Sequence, residues 1–93
     1  MDIIQQESRI LVYVTATWCK PCQQLSPFMD YVLSRGNIKI LKLDYDEDAK
    51  IVSALRVRSV PTILFYQSGE LEQVCVSGDV EKVKQFLSRY SII

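Results

Sequence analysis

The stretch Ala16-Thr17-Trp18-Cys19-Lys20-Pro21-Cys22 limits the possible folds more than any other part of the chain. It holds two cysteines at C-x-x-C spacing, with a strand pattern before it and a helix pattern after it. Arg9 to Thr15 (Arg-Ile-Leu-Val-Tyr-Val-Thr) is apolar and β-branched, and reads as a buried strand. From Pro21 onward, Leu25, Phe28, Met29, Val32 and Leu33 fall at i, i+3, i+4, i+7 and i+8, one apolar face of an amphipathic helix. The first cysteine therefore stands where a strand ends and a helix begins.

That location has chemical consequences. A helix N-terminus offers unpaired N–H groups and a partial positive charge, and both favour a thiolate over a thiol. Lys20 adds a full charge beside it. A cysteine so placed has a pKa below the free value of about 8.5, and the thiolate is the nucleophile in disulfide exchange. Cys19, at the exposed end, is the expected attacker. Cys22, one turn in, is the expected resolving thiol. Pro21 suits a first helical turn, where a missing N–H costs little.

Trp18-Cys19-Lys20-Pro21-Cys22 resembles the W-C-x-P-C signature of the thioredoxin family. Some forty residues on, Ser59-Val60-Pro61-Thr62 resembles the segment that carries the family's cis-proline. The resemblance runs from Ile10 to the C-terminus. It implies that Pro61 is cis and packs on the redox cysteines. It also implies that Val60 and Thr62 flank a substrate groove in which Val60 offers its backbone to an extended chain. Trp18, Lys20 and Pro21 would border the same groove, and Gly78 would shape its third wall. Two positions depart from the pattern. Tyr13 stands where the family usually has a buried aspartate that accepts the resolving cysteine's proton, and Thr15 where a second tryptophan is common. A tyrosine, with a pKa near 10, is a poor base at neutral pH. Either Tyr13 fills core space or it hydrogen-bonds a thiol or a water. Lys42 matches a family lysine near that aspartate. It is expected to reach solvent or pair with Asp44 or Asp46, with proton relay as a lesser reading.

Ninety-three residues form one expected domain, residues 1–93. Eleven basic and eleven acidic residues balance, so no nucleic-acid-binding surface or anionic membrane partner is indicated. Histidine is absent, which removes imidazole as base or metal ligand. A zinc site would need Cys19, Cys22, Cys75 and a carboxylate; Trp18 and Pro21 favour redox chemistry instead, and neither a metal nor a bound cofactor is expected. Met1 to Ile10 lacks a signal-peptide core, and no apolar run is long enough to span a bilayer. The expected compartment is the reducing cytoplasm. Cys75, between Val74 and Val76, reads as a small core hydrophobe.

In chain order, Ile3-Ile4 is expected as at most an edge strand in a shortened N-terminus. Arg9–Thr15 is the central strand. Lys20–Arg35 is the long helix, stopped by Gly36-Asn37, with Pro27 expected to bend it. Ile38–Tyr45 is a strand, and Asp46-Glu47-Asp48 is expected to cap a helix ending near Arg56. Thr62–Gln67 and Leu71–Val76 pair through a turn at Ser68-Gly69-Glu70, and Asp79 caps a last helix lined by Val80, Val83, Phe86, Leu87 and Tyr90. The expected fold is α/β and thioredoxin-like, a mixed four-stranded sheet with room for a fifth strand and helices on both faces.

The reading is a thioredoxin-type protein-disulfide reductase. Its implied partners are thioredoxin reductase and disulfide-containing client proteins, ribonucleotide reductase among them, with the chain acting as a monomer. Two alternatives stay open: a disulfide oxidant or isomerase, and a non-catalytic partner-binding module on the same fold.

Overall fold

The computed structural model describes residues 2–93. The elements run α1 (Asp2–Gln6), β1 (Arg9–Thr15), α2 (Lys20–Arg35), β2 (Lys39–Asp44), α3 (Ala49–Ala54), β3 (Thr62–Gln67), β4 (Glu70–Val76) and α4 (Val80–Arg89). The four strands form one sheet in the order β2-β1-β3-β4. β1 lies parallel to β2 and antiparallel to β3, and β4 is antiparallel to β3. The most apolar strand, β1, is thus flanked on both sides, which satisfies its backbone without water.

Strand alternation divides the core in two. Leu11 and Tyr13 of β1 join Ile63 and Phe65 of β3 under Leu25, Met29 and Val32 of α2 and Val83, Phe86 and Leu87 of α4. Ile10, Val12 and Val14 join Leu64 and Tyr66 under Ile4 of α1 and Val52 of α3. α2 is capped by Cys19 before its first residue and by Gly36 after its last, whose left-handed backbone (φ 66°) lets its N–H close on the Leu33 carbonyl. Pro27 lies inside α2, which runs unbroken from Lys20 to Arg35.

Several expectations need correction. Ile3 and Ile4 form one turn of helix and not an edge strand. In that turn Ile4 is buried and Ile3 packs beside it on the second core cluster, which covers apolar surface that a strand outside the sheet would leave open. No fifth strand occurs among the described residues. The acidic run before α3 does not cap it. The Asp48 carboxylate instead accepts the Asp44 N–H at 2.8 Å, and Asp44 Oδ1 accepts those of Asp46 and Glu47 at 2.8 and 2.9 Å. α3 ends at Ala54, and Arg56 turns the chain with φ 62°. Asp79 does cap α4, accepting the Glu81 N–H at 2.9 Å. The hairpin turn is only Ser68-Gly69, because Glu70 already pairs with Gln67; both turn residues have positive φ, as a two-residue hairpin loop requires.

Candidate functional site

The site forms where β1 stops. Backbone leaving Thr15 turns through Ala16 and Thr17, and the Cys19 N–H closes on the Ala16 carbonyl at 3.3 Å. Cys19 then takes the N-cap position of α2, with extended backbone, and Pro21 sits in the first turn. The Cys19 Sγ accepts the Cys22 N–H at 3.2 Å and is disulfide-bonded to Cys22, the two Cα atoms being 5.2 Å apart. No acidic residue lies in the first turn of α2, so nothing there offsets the helix dipole or the exposed Lys20. Cys19 is 5% exposed and Cys22 1%. Cys19 is thus slightly more open than Cys22, but far less open than the exposed helix end expected for it.

Tertiary folding brings the second motif to the cysteines. The Val60–Pro61 bond is cis, as the resemblance implied, and the Val60 carbonyl oxygen lies 3.7 Å from Cys19 Sγ. Val60 is half-buried against Ala16, Cys19 and Cys22, and Pro61 is buried. Thr62 is also buried, and its hydroxyl donates to the Ser59 carbonyl at 2.7 Å. Its side chain therefore braces the loop and does not face the groove. Gly78 abuts Pro21 from the far side. A Cβ there would stand 2.7 Å from Pro21 Cβ and 3.2 Å from the Pro21 carbonyl oxygen, so the close approach admits only glycine.

Trp18 is 62% exposed. Its indole N–H donates to Asp46 Oδ2 at 2.6 Å, and its ring meets Tyr45 edge-on with centroids 6.3 Å apart. Tyr45 also packs on the cluster of Ala16, Cys19 and Cys22. Sequence reasoning missed both partners. Asp46 was hidden in an acidic run that looked like a helix start, and only its position after a strand parallel to β1 hinted that it would return beside Trp18.

Behind Cys22 the site is open. A cavity of about 490 Å³ is lined by Cys22, Thr15, Ser26, Lys42 and Asp44 among others. Lys42 is exposed and, among the described residues, forms no ion pair, so it reaches solvent as expected. Tyr13, paired in register with Lys42, is 1% exposed, and its hydroxyl has no hydrogen-bond partner among the described residues. Burial raises the phenol above its ordinary value. Thr15 is near enough to oppose this in part without forming a hydrogen bond of normal geometry, and Asp30 adds to the rise. Tyr13 is therefore neutral and cannot take a proton. Cys75 faces the first core cluster from β4, where burial, partly opposed by Lys82, raises its thiol. Among the described residues no three potential metal ligands cluster, and no helix is long and apolar enough to cross a membrane.

A family model described as Thioredoxin matches residues 1–89. The thioredoxin of Rickettsia felis is 35% identical over 71 residues, which cover 74% of this chain and 68% of that protein. The thioredoxin of Streptomyces clavuligerus is 34% identical over 78 residues, covering 83% and 73% respectively. Among solved structures, a thioredoxin from Plasmodium falciparum superimposes with a TM-score of 0.87 at 26% identity, covering 97% of this chain and 89% of that one. A mutant thioredoxin from Halobacterium salinarum gives 0.79 at 30% identity, covering 97% and 80%.

Proposed function

This chain belongs to the thioredoxin family and is a thiol–disulfide oxidoreductase; from that premise we propose that it works as a reductant of client-protein disulfides, with Cys19 as nucleophile and Cys22 as resolving thiol. The observation that carries this assignment is the contact set of Cys19 Sγ. It sits at a helix N-terminus, accepts the Cys22 N–H and borders the Val60 carbonyl. A negative charge on this sulfur meets an N–H donor and the helix dipole, so the thiolate is favoured.

In the forward reaction the Cys19 thiolate attacks one client sulfur and displaces the other. Cys22 then attacks Cys19 Sγ and displaces the first client sulfur. Two electrons and two protons pass to the client, and the Cys19–Cys22 disulfide remains. Thioredoxin reductase, or another dithiol, restores the pair. Trp18, held by Asp46, gives the client a flat apolar rest beside Cys19, with Lys20, Pro21 and Gly78 along the rim. The Val60 backbone offers an extended client segment a β-type partner, and Pro61 and Thr62 hold that backbone in place. Tyr13 stays neutral, so the Cys22 proton leaves to solvent on the flank lined by Thr15, Ser26 and Lys42. The setting is the cytoplasm, the chain acts as a monomer, and ribonucleotide reductase is a candidate client.

Titration of Trp18 fluorescence in thiol buffers tests the direction. A potential near the reference value for thioredoxin itself, about −270 mV, supports the reductant reading. A value toward about −120 mV would make the chain an oxidant. Absence of any reversible couple would leave a partner-binding module.

A further inference from the structure

β4 is an edge strand, and its pairing with β3 contains an irregularity. Phe65 pairs with Gln73, but the next residue, Tyr66, pairs with Leu71, so Glu72 is the extra residue of a bulge. Simple alternation would place Leu71 with Gln73 and Cys75, toward the α2–α4 face. The bulge turns it to the opposite face, where Val74 and Val76 already point. Leu71, Val74 and Val76 are 50%, 38% and 59% exposed. They line one groove of about 360 Å³ with Leu64 of β3, and among the described residues its only charged ones are Arg56 and Arg58. Glu70 and Glu72 lie on the same strand but outside the groove.

The groove joins the redox site directly. Ser59, on its wall, precedes Val60, and Val76, at its near end, pairs with Thr62, the residue after Pro61. Leu71, at its far end, pairs with Tyr66. Five residue steps along the strand separate the ends, roughly 17 Å. A bulge and flanking glutamates discourage pairing with another strand edge, so the feature left open is the face of β4 and not its backbone.

We propose that this groove docks a segment of the client chain flanking its disulfide, one with apolar anchors and at least one carboxylate for Arg56 and Arg58. The assignment rests on the client-reductase reading above. The apolar side chains supply contact area, and the two guanidiniums select the sign of charge.

The test uses two synthetic peptides, each with one cysteine carried as a mixed disulfide with thionitrobenzoate. They differ only in a six-residue arm that alternates leucine with glutamate or leucine with lysine. Fluorescein-labelled versions report binding by anisotropy, and released thionitrobenzoate reports turnover by the reduced protein. The glutamate arm should bind and react at least about fivefold better, the effect of one or two screened ion pairs. Arg56→Asn with Arg58→Glu should erase that preference. Leu71→Ser with Val74→Ser should weaken both arms through KM. Both double variants should reduce an arm-free aryl disulfide at the unmodified rate. Equal binding of the two arms, or a preference that survives the arginine changes, overturns the proposal. So does sedimentation that shows the stripe covered by a second copy and released by the Leu71/Val74 change. Failure of the unmodified protein to reduce the aryl disulfide, with the binding preference intact, would overturn the reductase reading and with it the client role of the groove, leaving binding of an acidic apolar peptide alone.

Discussion

On one face of the sheet, helices of 16 and 10 residues cover Leu11, Tyr13, Ile63 and Phe65, none more than 1% exposed. On the other, helices of 5 and 6 residues cover Ile10, Val12 and Leu64 but leave Leu71, Val74 and Val76 at 50%, 38% and 59%. The closed face carries the redox chemistry: α2, which presents both cysteines, is anchored there by Leu25, Met29 and Val32. The open face gives apolar surface beside the cis-proline loop. The difference is one of helix length and position, because a short helix can bury only a few side chains of a four-stranded sheet. Rigidity for bond exchange and free surface for a client are thus assigned to opposite sides of the same strands.

The sharpest break in that comparison removes the chemistry alone. Cys19→Ser should abolish disulfide reduction, since a hydroxyl cannot form the mixed disulfide. Cys22→Ser should complete the first half-reaction and then stall, leaving a client–Cys19 adduct visible by mass spectrometry. Neither change should unfold the closed face; a variant that still turned over would contradict the assigned roles.

Next come the two faces themselves. Leu87→Ala, at a fully buried position, should cost about 2–5 kcal/mol in urea unfolding. Val74→Ser should stay within roughly 0.5 kcal/mol. Similar losses at the two positions would erase the distinction. Gly78→Ala falls between them: overpacking against Pro21 should cost about 1–3 kcal/mol and slow client reduction, as the loop is driven away from the cysteines.

Tyr13→Phe keeps the volume and deletes a hydroxyl without a partner among the described residues, so stability should hold or rise by up to about 1 kcal/mol, with no change in turnover. A clear loss would mean that the hydroxyl has a role in the reduced protein. Tyr13→Asp should instead speed mixed-disulfide resolution by supplying the missing base, and unchanged single-turnover kinetics would refute that.

The smallest effect concerns acid. The N–H groups of Glu47 and Asp46 hold the Asp44 carboxyl below its ordinary value. A carboxyl lowered on folding contributes stability above its unfolded value, about 3.9, and loses it as the pH falls through the folded value. Asp44→Asn should therefore flatten the fall of the urea midpoint below about pH 4, and an unchanged acid limb would show that this loop adds nothing.

Much of this architecture was legible before any tertiary structure. β1, α2 and β3 occupy the expected spans, because their signals are local: a β-branched run, a 3.6-residue apolar period ended by Gly36, and a strand opened by proline. The pairing of two cysteines at a helix N-terminus followed from the same local order. The N-terminal turn did not. Ile3 and Ile4 favour a strand by propensity, and only the surface left bare by Val12 and Leu64 gave them a reason to coil.

The sequence by itself determined the reacting atoms and the helix that activates them, since residues three apart on one helix meet whatever surrounds them. Tertiary structure alone decided what those atoms face. Asp46 reaches Trp18 because β2 runs parallel to β1. Gly78 reaches Pro21 because the loop after β4 turns back past the start of α2. Leu71 joins Val74 and Val76 because one extra residue at Glu72 inverts its side. Each depends on the register between strands far apart in the chain, and a one-residue shift in register exchanges the two faces of a sheet.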